Sequence, residues 1–465
     1  TMELRSLADK LSGLLLCLIT VLVICNEWRL AEWTQPLKPL LVLALVPLLA
    51  AQVRLSRKAF VAVAVLISIA LAATNSDWLD VVVNGLVTSA FIGAFFTALS
   101  TLRNVAATSP AIQRAGTFLA GQRPGRRYAA LTVGGQAFAL LLNYGALQLL
   151  GALATANAKL EPNIEIREHR IRRMLLAIQR AFVSTLPWSP LSFAMAISIS
   201  VIPGTNWSQA MIPGLVSSLI LAGIGWALDT IFKPRLAVAP VRAEPQGTWA
   251  TMLPLMALLA ILVVGVVSLT QLTSVRIVGI VAVLVPCIAF VWILIQHWSD
   301  APFANAAYRI RDFVLTELPS YRGELVLLMM AGYIGTVGSQ LIGPLMLKAG
   351  PDMSLLQPWL ILVSFVWIIP LAGQLGMNPI LAVTLIAPLI PEAASLGVEP
   401  TAIVVALTAG WALSGASSPF TATTLLIGHF AGISPLRVGL VWNGVYSLIC
   451  GIALSLWVLI YAFAL

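Results

Sequence analysis

Charge is what this chain of 465 residues has least of. Only 10% of its residues are Asp, Glu, Lys or Arg, where a soluble domain has about a quarter. It has three histidines, His169, His297 and His429, far apart in sequence. Its four cysteines, Cys17, Cys25, Cys287 and Cys450, all lie in apolar segments. So few groups, so spaced, offer no metal motif and no disulfide framework. They also offer no nucleophile–base pair, so an enzyme is not expected. Apolar residues are abundant. The chain is 59% hydrophobic, and its mean hydropathy is +0.95. These values describe an integral membrane protein that crosses the bilayer many times.

The first apolar run, Leu11–Cys25, has no small-residue cleavage site after it and reads as a retained span. Spans are expected at Pro39–Val53, Phe60–Thr74, Trp78–Ser100, Met211–Phe232, Trp249–Thr270, Val275–Trp298, Arg322–Gln340 and Leu436–Tyr461. Lys159–Arg180 carries six basic residues with Leu and Ile at helical spacing, which predicts an amphipathic helix on the membrane surface. Ser299–Tyr321 is also amphipathic.

Four apolar stretches are interrupted. Tyr128–Ala156 breaks near Asn143, Tyr144 and Gly145, and Leu355–Ile390 breaks at Gly373–Pro379, around Asn378. Neither arm of either stretch reaches the roughly 20 residues that a ~30 Å core demands, so both are expected to be re-entrant hairpins. Ala181–Ser200 breaks at Ser184–Ser192, and Thr401–Ile427 breaks at S-G-A-S-S-P-F-T, Ser414–Thr421. Proline removes a backbone donor and glycine loosens a helix. Lipid cannot satisfy the freed carbonyls, so such breaks line a cavity or are buried in protein.

The landmarks recur in order. S-P at Ser109 answers G-P at Gly343, and each proline is followed six residues later by a glycine, Gly116 or Gly350. Asn143 answers Asn378, W-S-P at Trp188 answers S-S-P at Ser417, and Gly204 answers Gly432, at offsets of 234, 235, 229 and 228 residues. Two repeats are therefore expected. An amino-terminal span and loop occupy 1–38. The first repeat covers 39–232, with its hairpin at 128–156 and broken helix at 181–200. A cytoplasmic linker covers 233–248. The second repeat covers 249–465, with its hairpin at 355–390 and broken helix at 401–427. With the amino terminus inside and eleven spans, only Arg29, Lys38, Arg276 and Lys348 of the 27 Lys and Arg fall outside. This accounts for the net charge of +9 without nucleic acid. It inverts one repeat relative to the other and puts the carboxy terminus outside. The expected class is all-α, with eleven transmembrane helices and two opposed hairpins whose tips meet near the midplane.

With these features the chain resembles the ion transporter superfamily, most closely the divalent anion/sodium symporter family. The best local match is Gly376–Ile427: G-M-N-P, then L-I-A-P-L-I-P, then S-G-A-S-S-P-F-T. The large membrane subunit of the TRAP transporters shares the architecture. The resemblance implies a homodimer in a bacterial inner membrane whose scaffold helices hold the partner while a transport domain moves as an elevator. It implies a small anionic solute coupled to sodium. The family's hairpin tips read Ser-Asn-Thr; here they read Leu-Asn-Tyr and Met-Asn-Pro.

The expected solute site is Asn143, Tyr144, Gly145, Ser189, Pro190, Asn378, Pro379, Ser417, Ser418, Pro419 and Thr421. Sodium, the one expected bound ion, is assigned to Asn143, Ser184, Thr185, Asn378, Ser414 and Gly415. Half-helix amino termini after the breaks offer donors to an anion, and unwound carbonyls and hydroxyls offer oxygens to a cation. No acid stands at any break, which argues against a carboxylate proton relay; His429 is the one histidine near a break. The blander readings are that the asparagines merely cap helices, that the serines bond back into kinked helices, and that Ser414, Gly415 and Ser417 only allow close packing. Gln136 and Gln374, beside glycines in the two hairpins, are candidates for polar lining, and Trp188 and Trp411 flank the breaks. The rival function is a proton-coupled exporter or antiporter. The other expected partner is membrane lipid.

Overall fold

The computed structural model describes residues 2–234, 247–349 and 356–465. Most of the linker expected at 233–248 lies outside the described residues, as does Gly350. Every regular element among the described residues is helical. Four long helices come first: α1 (Met2–Glu27), α2 (Leu37–Ala51), α3 (Leu55–Thr74) and α4 (Trp78–Ala107). Then come α5 (Pro110–Ala120), α6 (Pro124–Leu142), α7 (Tyr144–Lys159), α8 (Ile164–Thr185), α9 (Phe193–Val201) and α10 (Trp207–Ile231). The second half holds α11 (Leu253–Leu272), α12 (Ile277–Gln296), α13 (Pro302–Asp312), the single turn α14 (Leu318–Ser320) and α15 (Arg322–Ala349). It ends with α16 (Pro358–Gln374), α17 (Pro379–Ile386), α18 (Ala393–Leu396), α19 (Pro400–Ser417), α20 (Ala422–Ala431) and α21 (Gly444–Phe463).

Local chemistry sets the helix ends. Proline opens α5, α6, α13, α16 and α19, where its missing N–H is not needed. Side chains cap α8, α9 and α10: Asn163 accepts from Ile166 N, Ser192 from Met195 N and Asn206 from Gln209 N. Gly432 closes α20 in the left-handed region, at φ +67°.

Ten helices among the described residues are long and apolar enough to cross a membrane. The eleventh expected span, Ala181–Ser200, is not one of them. Its first residues belong to α8, a single helix that also contains most of the basic stretch predicted to lie on the membrane surface. Met174–Thr185 is buried throughout, so the surface character ends near Arg173. The remainder of that span is the nine-residue α9.

The chain forms two compact units, and each draws on both sequence halves. Unit 1 is Thr1–Val105, Gly265–Leu355 and Ile380–Pro391. Unit 2 is Ala106–Val264, Leu356–Pro379 and Glu392–Leu465. In unit 1, α15 packs on α3 and α4 through small and hydroxyl residues. Gly332 leaves room for Ile92. Ser89 Oγ donates to the Met329 carbonyl at 2.9 Å, and Ser68 and Tyr333 share a 2.6 Å bond. Gly335 receives Thr384 of α17 against α15. In unit 2, α6 and α7 pack on α8, while α16 and α21 pack on α19.

The two expected hairpins therefore differ. Both arms of the first, α6 and α7, lie in unit 2 and pack on each other. The arms of the second are divided: α16 belongs to unit 2, and all of α17 after Pro379 belongs to unit 1.

Candidate functional site

Helix α8 stops because Pro187 and Pro190 follow it and supply no N–H for further turns. The seven residues before α9 hold themselves by short-range bonds. Ser192 Oγ donates to the Leu186 carbonyl at 2.9 Å while accepting from Met195 N at 3.1 Å. Ser189 Oγ accepts from Leu191 N at 3.1 Å. Ser189, Pro190 and Ser192 are buried.

Pro419 ends α19 in the same way. Ser418 Oγ reaches across to donate to the Gly373 carbonyl of α16, at 2.7 Å. Thr421 and Thr424 both donate to the Ser418 carbonyl, at 3.0 and 2.6 Å, and Thr423 donates to the Gly415 carbonyl. Ser417 Oγ donates back to Leu413 at 2.8 Å. Thr421 makes no capping bond to α20, in contrast to Ser192 at α9. Among the described residues Ser414 Oγ, fully buried, finds no hydrogen-bond partner, and neither does the buried indole N–H of Trp188 at the other break.

The two breaks meet. A Cβ placed on Gly415 would lie 3.1 Å from Val183 Cγ1 and 3.6 Å from Leu186 Cδ1. The ends of α8 and α19 therefore cross at that glycine. The Tyr144 ring lies 4.9 Å from that of Phe182, which sets the first hairpin tip beside the end of α8. A Cβ on Gly376 would lie 3.9 Å from the Phe420 ring, which sets the second hairpin's turn beside the other break.

Similar side-chain contacts occur beside both breaks. Gln136 of α6 donates to Ser184 Oγ at 2.9 Å, and Gln374 of α16 donates to Ser417 Oγ at 3.4 Å. The preceding glycines press on the same helices: a Cβ on Gly135 would lie 2.8 Å from Ala181 Cβ, and one on Gly373 would lie 2.6 Å from Ser414 Oγ. A glycine of the following segment sits against each break's backbone. Gly214 of α10 abuts the Pro187 carbonyl, and Gly439 abuts the Ser417 carbonyl. Where Gly373 faces Ser414, whose hydroxyl has no partner among the described residues, Gly135 faces Ala181, which has no hydroxyl.

Of the predicted site residues, Ser184, Thr185, Ser189, Pro190, Ser414, Gly415, Ser417 and Ser418 are buried at or beside the crossing, with Pro419 and Thr421 part-exposed next to them. Ser184, Thr185 and Ser417 do bond back to their own helices; Ser189 and Ser418 do not. Asn143 and Asn378 are half-buried, Gly145 and Pro379 buried. Asn143 takes φ +52°, unusual for a residue with a Cβ, and its side chain caps neither α6 nor α7. His429 is exposed.

Sequence reading missed three residues. Arg180, assigned there to a surface helix, is 5% exposed. It donates to Asn443 Oδ1 (3.1 Å), Tyr128 Oη (3.1 Å) and the carbonyls of Gly225 (3.5 Å) and Trp442 (3.4 Å). Its guanidinium lies 4.4 Å from the Tyr446 ring centre. Among the described residues no carboxylate pairs with it. Gln179 and Asn443, both fully buried, bond each other at 2.9 Å. No local signal marked them: Gln179–Arg180 stand at the end of the basic stretch, and Asn443 lies 263 residues beyond Arg180.

No protein-family model matches the chain, and no curated protein sequence matches it. Solved structures do. The YdaH transporter of Alcanivorax borkumensis aligns over 86% of this chain and 98% of its own, at 15% identity and a TM-score of 0.47. MtrF of Neisseria gonorrhoeae, one of a class of antimetabolite efflux pumps, aligns over 90% of this chain and 97% of its own, at 15% identity and a TM-score of 0.52. The chain is thus an all-helical integral membrane protein. Its fold is that of MtrF across nearly the full length of both chains.

Proposed function

We propose that this protein is a secondary active transporter of a small anionic solute, with its site at the crossing of the two broken helices. The meeting of the breaks at Gly415 carries the reading, because opposed half-helix ends inside one unit can hold both signs of charge. The Thr421 side chain does not cap the amino terminus of α20, which leaves its first N–H groups to act as anion donors in this reading. The break hydroxyls spend their protons on carbonyls. Ser184, Thr185, Ser417, Ser418 and Thr421 therefore keep no proton for an anion, and although Ser184, Ser417 and Ser418 also accept from Gln136, Gln374 and Phe420 N, each hydroxyl oxygen has a second lone pair, which suits sodium better than an anion. Helices α9 and α20 have nine and ten residues, roughly 14 and 15 Å at 1.5 Å per residue, close to half of a ~30 Å core. Breaks that far from the helix ends fit a midplane site.

In this reading unit 2 is the moving body of an elevator-type carrier and unit 1 the scaffold of a homodimer in an inner membrane, with the amino terminus cytoplasmic. The fold shared with an efflux pump supports the second reading, a proton-coupled exporter. Melting of the purified protein against a panel of small anions, in sodium and in potassium, separates the two, since a ligand of the folded state raises the midpoint by mass action. An anion whose shift needs sodium supports the symporter. A shift indifferent to sodium but dependent on pH supports the exporter. Transport that survives alanine at both Asn143 and Asn378 in well-folded protein sinks the proposed site.

A further inference from the structure

We propose that Arg180 is a positioning residue that orients the second break through a one-way relay of amides; its relevance to transport rests on the function proposed above. The argument is one of donors and acceptors. A guanidinium has donors only. Arg180 Nε therefore obliges Asn443 to present its oxygen, at 3.1 Å. The Asn443 amide nitrogen must then face away, and it donates to Gln179 Oε1 at 2.9 Å and to the Val438 carbonyl at 3.2 Å. That fixes Gln179 in turn. Its nitrogen faces the carbonyls of Gly415 and Ala416, at 3.5 Å from each, in the last turn of α19. One cation thus sets the orientation of two amides, and the second amide occupies carbonyls that end the half-helix at the crossing. Gly415 O also receives Thr423 of α20, so the relay ties both sides of the break. The four acceptors of the guanidinium hold it too firmly to serve as a mobile ligand. No other polar side chain donates to the Gly415 and Ala416 carbonyls among the bonds described, apart from Thr423.

The test compares hydrogen–deuterium exchange and solute-uptake kinetics of the full chain in lipid for Asn443→Asp, Gln179→Leu, Arg180→Gln and Arg180→Lys. Aspartate at 443 still accepts from Arg180 but cannot donate to Gln179. We expect melting no lower than wild type, exchange of the 417–425 amides faster by about tenfold, and half-saturation raised about tenfold with maximal rate nearly unchanged. Gln179→Leu cuts the relay at its other end and should speed the same amides. Glutamine at 180 can present either an oxygen or a nitrogen, so Arg180→Gln should resemble Asn443→Asp. Lysine is a donor only, so Arg180→Lys should retain most of the wild-type exchange pattern. Wild-type exchange at 417–425 in both Asn443→Asp and Gln179→Leu overturns the proposal. So does exchange raised equally throughout unit 2, which is what a merely structural role gives. If the wild type transports no anion, the functional reading fails while the exchange measurement still decides the relay.

Discussion

Glycine-to-alanine exchanges at Gly214 and Gly223, nine residues apart on α10, should have opposite effects. Alanine is the better helix former by about 0.8–1.0 kcal/mol, and that gain is common to both. At Gly223 a Cβ meets nothing within 4 Å, so the gain stands. At Gly214 the Cβ would fall deep inside the van der Waals radius of the Pro187 carbonyl oxygen, with the Pro187 carbonyl carbon at 2.9 Å and Trp188 Cα at 3.1 Å. These are backbone atoms, which cannot rotate away as a side chain would. Overpacking costs typically 1–3 kcal/mol, and a backbone neighbour puts this case at the top of that range. The net expectation is about 1–2 kcal/mol of destabilisation for Gly214→Ala, against about 1 kcal/mol of stabilisation for Gly223→Ala. Gly439→Ala, pressed on Ser417 in the second repeat, should follow Gly214. Unfolding titrations in mixed micelles measure the difference, and exchange at 186–192 locates it. Equal stabilities for the two α10 variants would refute the inference that α10 is moulded to the break.

Gln136→Leu and Gln374→Leu should each cost about 1 kcal/mol, the worth of one hydrogen bond, with the larger loss at Gln136, whose bond to Ser184 is shorter; a double-mutant cycle with Ser184→Ala isolates that bond. Asp229→Asn should cost about 1–3 kcal/mol, because Arg173 holds both Asp229 oxygens, at 2.8 and 2.6 Å, with the carboxylate only 9% exposed. A melting shift no greater than that of an exposed charge reversal would contradict this. Gly432→Ala should lose about 1–2 kcal/mol from its left-handed φ of +67°, although a Cβ there meets nothing within 4 Å, so the loss should appear in stability without any packing change nearby.

The helical class and ten of the eleven expected spans follow from apolar run length alone, a signal the bilayer makes strong. The breaks were legible because proline writes its geometry into the sequence, although helix persists through Thr185 and Ser417, so they begin at Leu186 and Ser418 rather than at Ser184 and Ser414. Arg180 was not legible. Its neighbours Arg170, Arg172 and Arg173 set a surface periodicity, and nothing local announces that α8 enters the protein between Arg173 and Met174. The acceptors that make its burial tolerable, Asn443 and Tyr128, lie 263 and 52 residues away. The division of the second hairpin was equally hidden, since Thr384 meets Gly335 only through tertiary packing. The repeated Gln–Ser pairs lay between. Both glutamines stood out beside glycines, but Ser184 was read as a sodium ligand and Ser417 as a solute ligand.

Arg180 also has an electrical meaning. It places one positive charge in the interior of unit 2, with no acid among the described residues paired to cancel it. If that unit carries its site through the membrane, the charge travels through the field with it. An elementary charge crossing 100 mV exchanges about 2.3 kcal/mol with the potential. A bound monovalent anion would neutralise the load, and an empty site would leave it positive. With the anion alone bound, the loaded step would run nearly blind to voltage and the empty step would feel the potential; one sodium bound beside the anion restores a single positive charge, so both steps feel it.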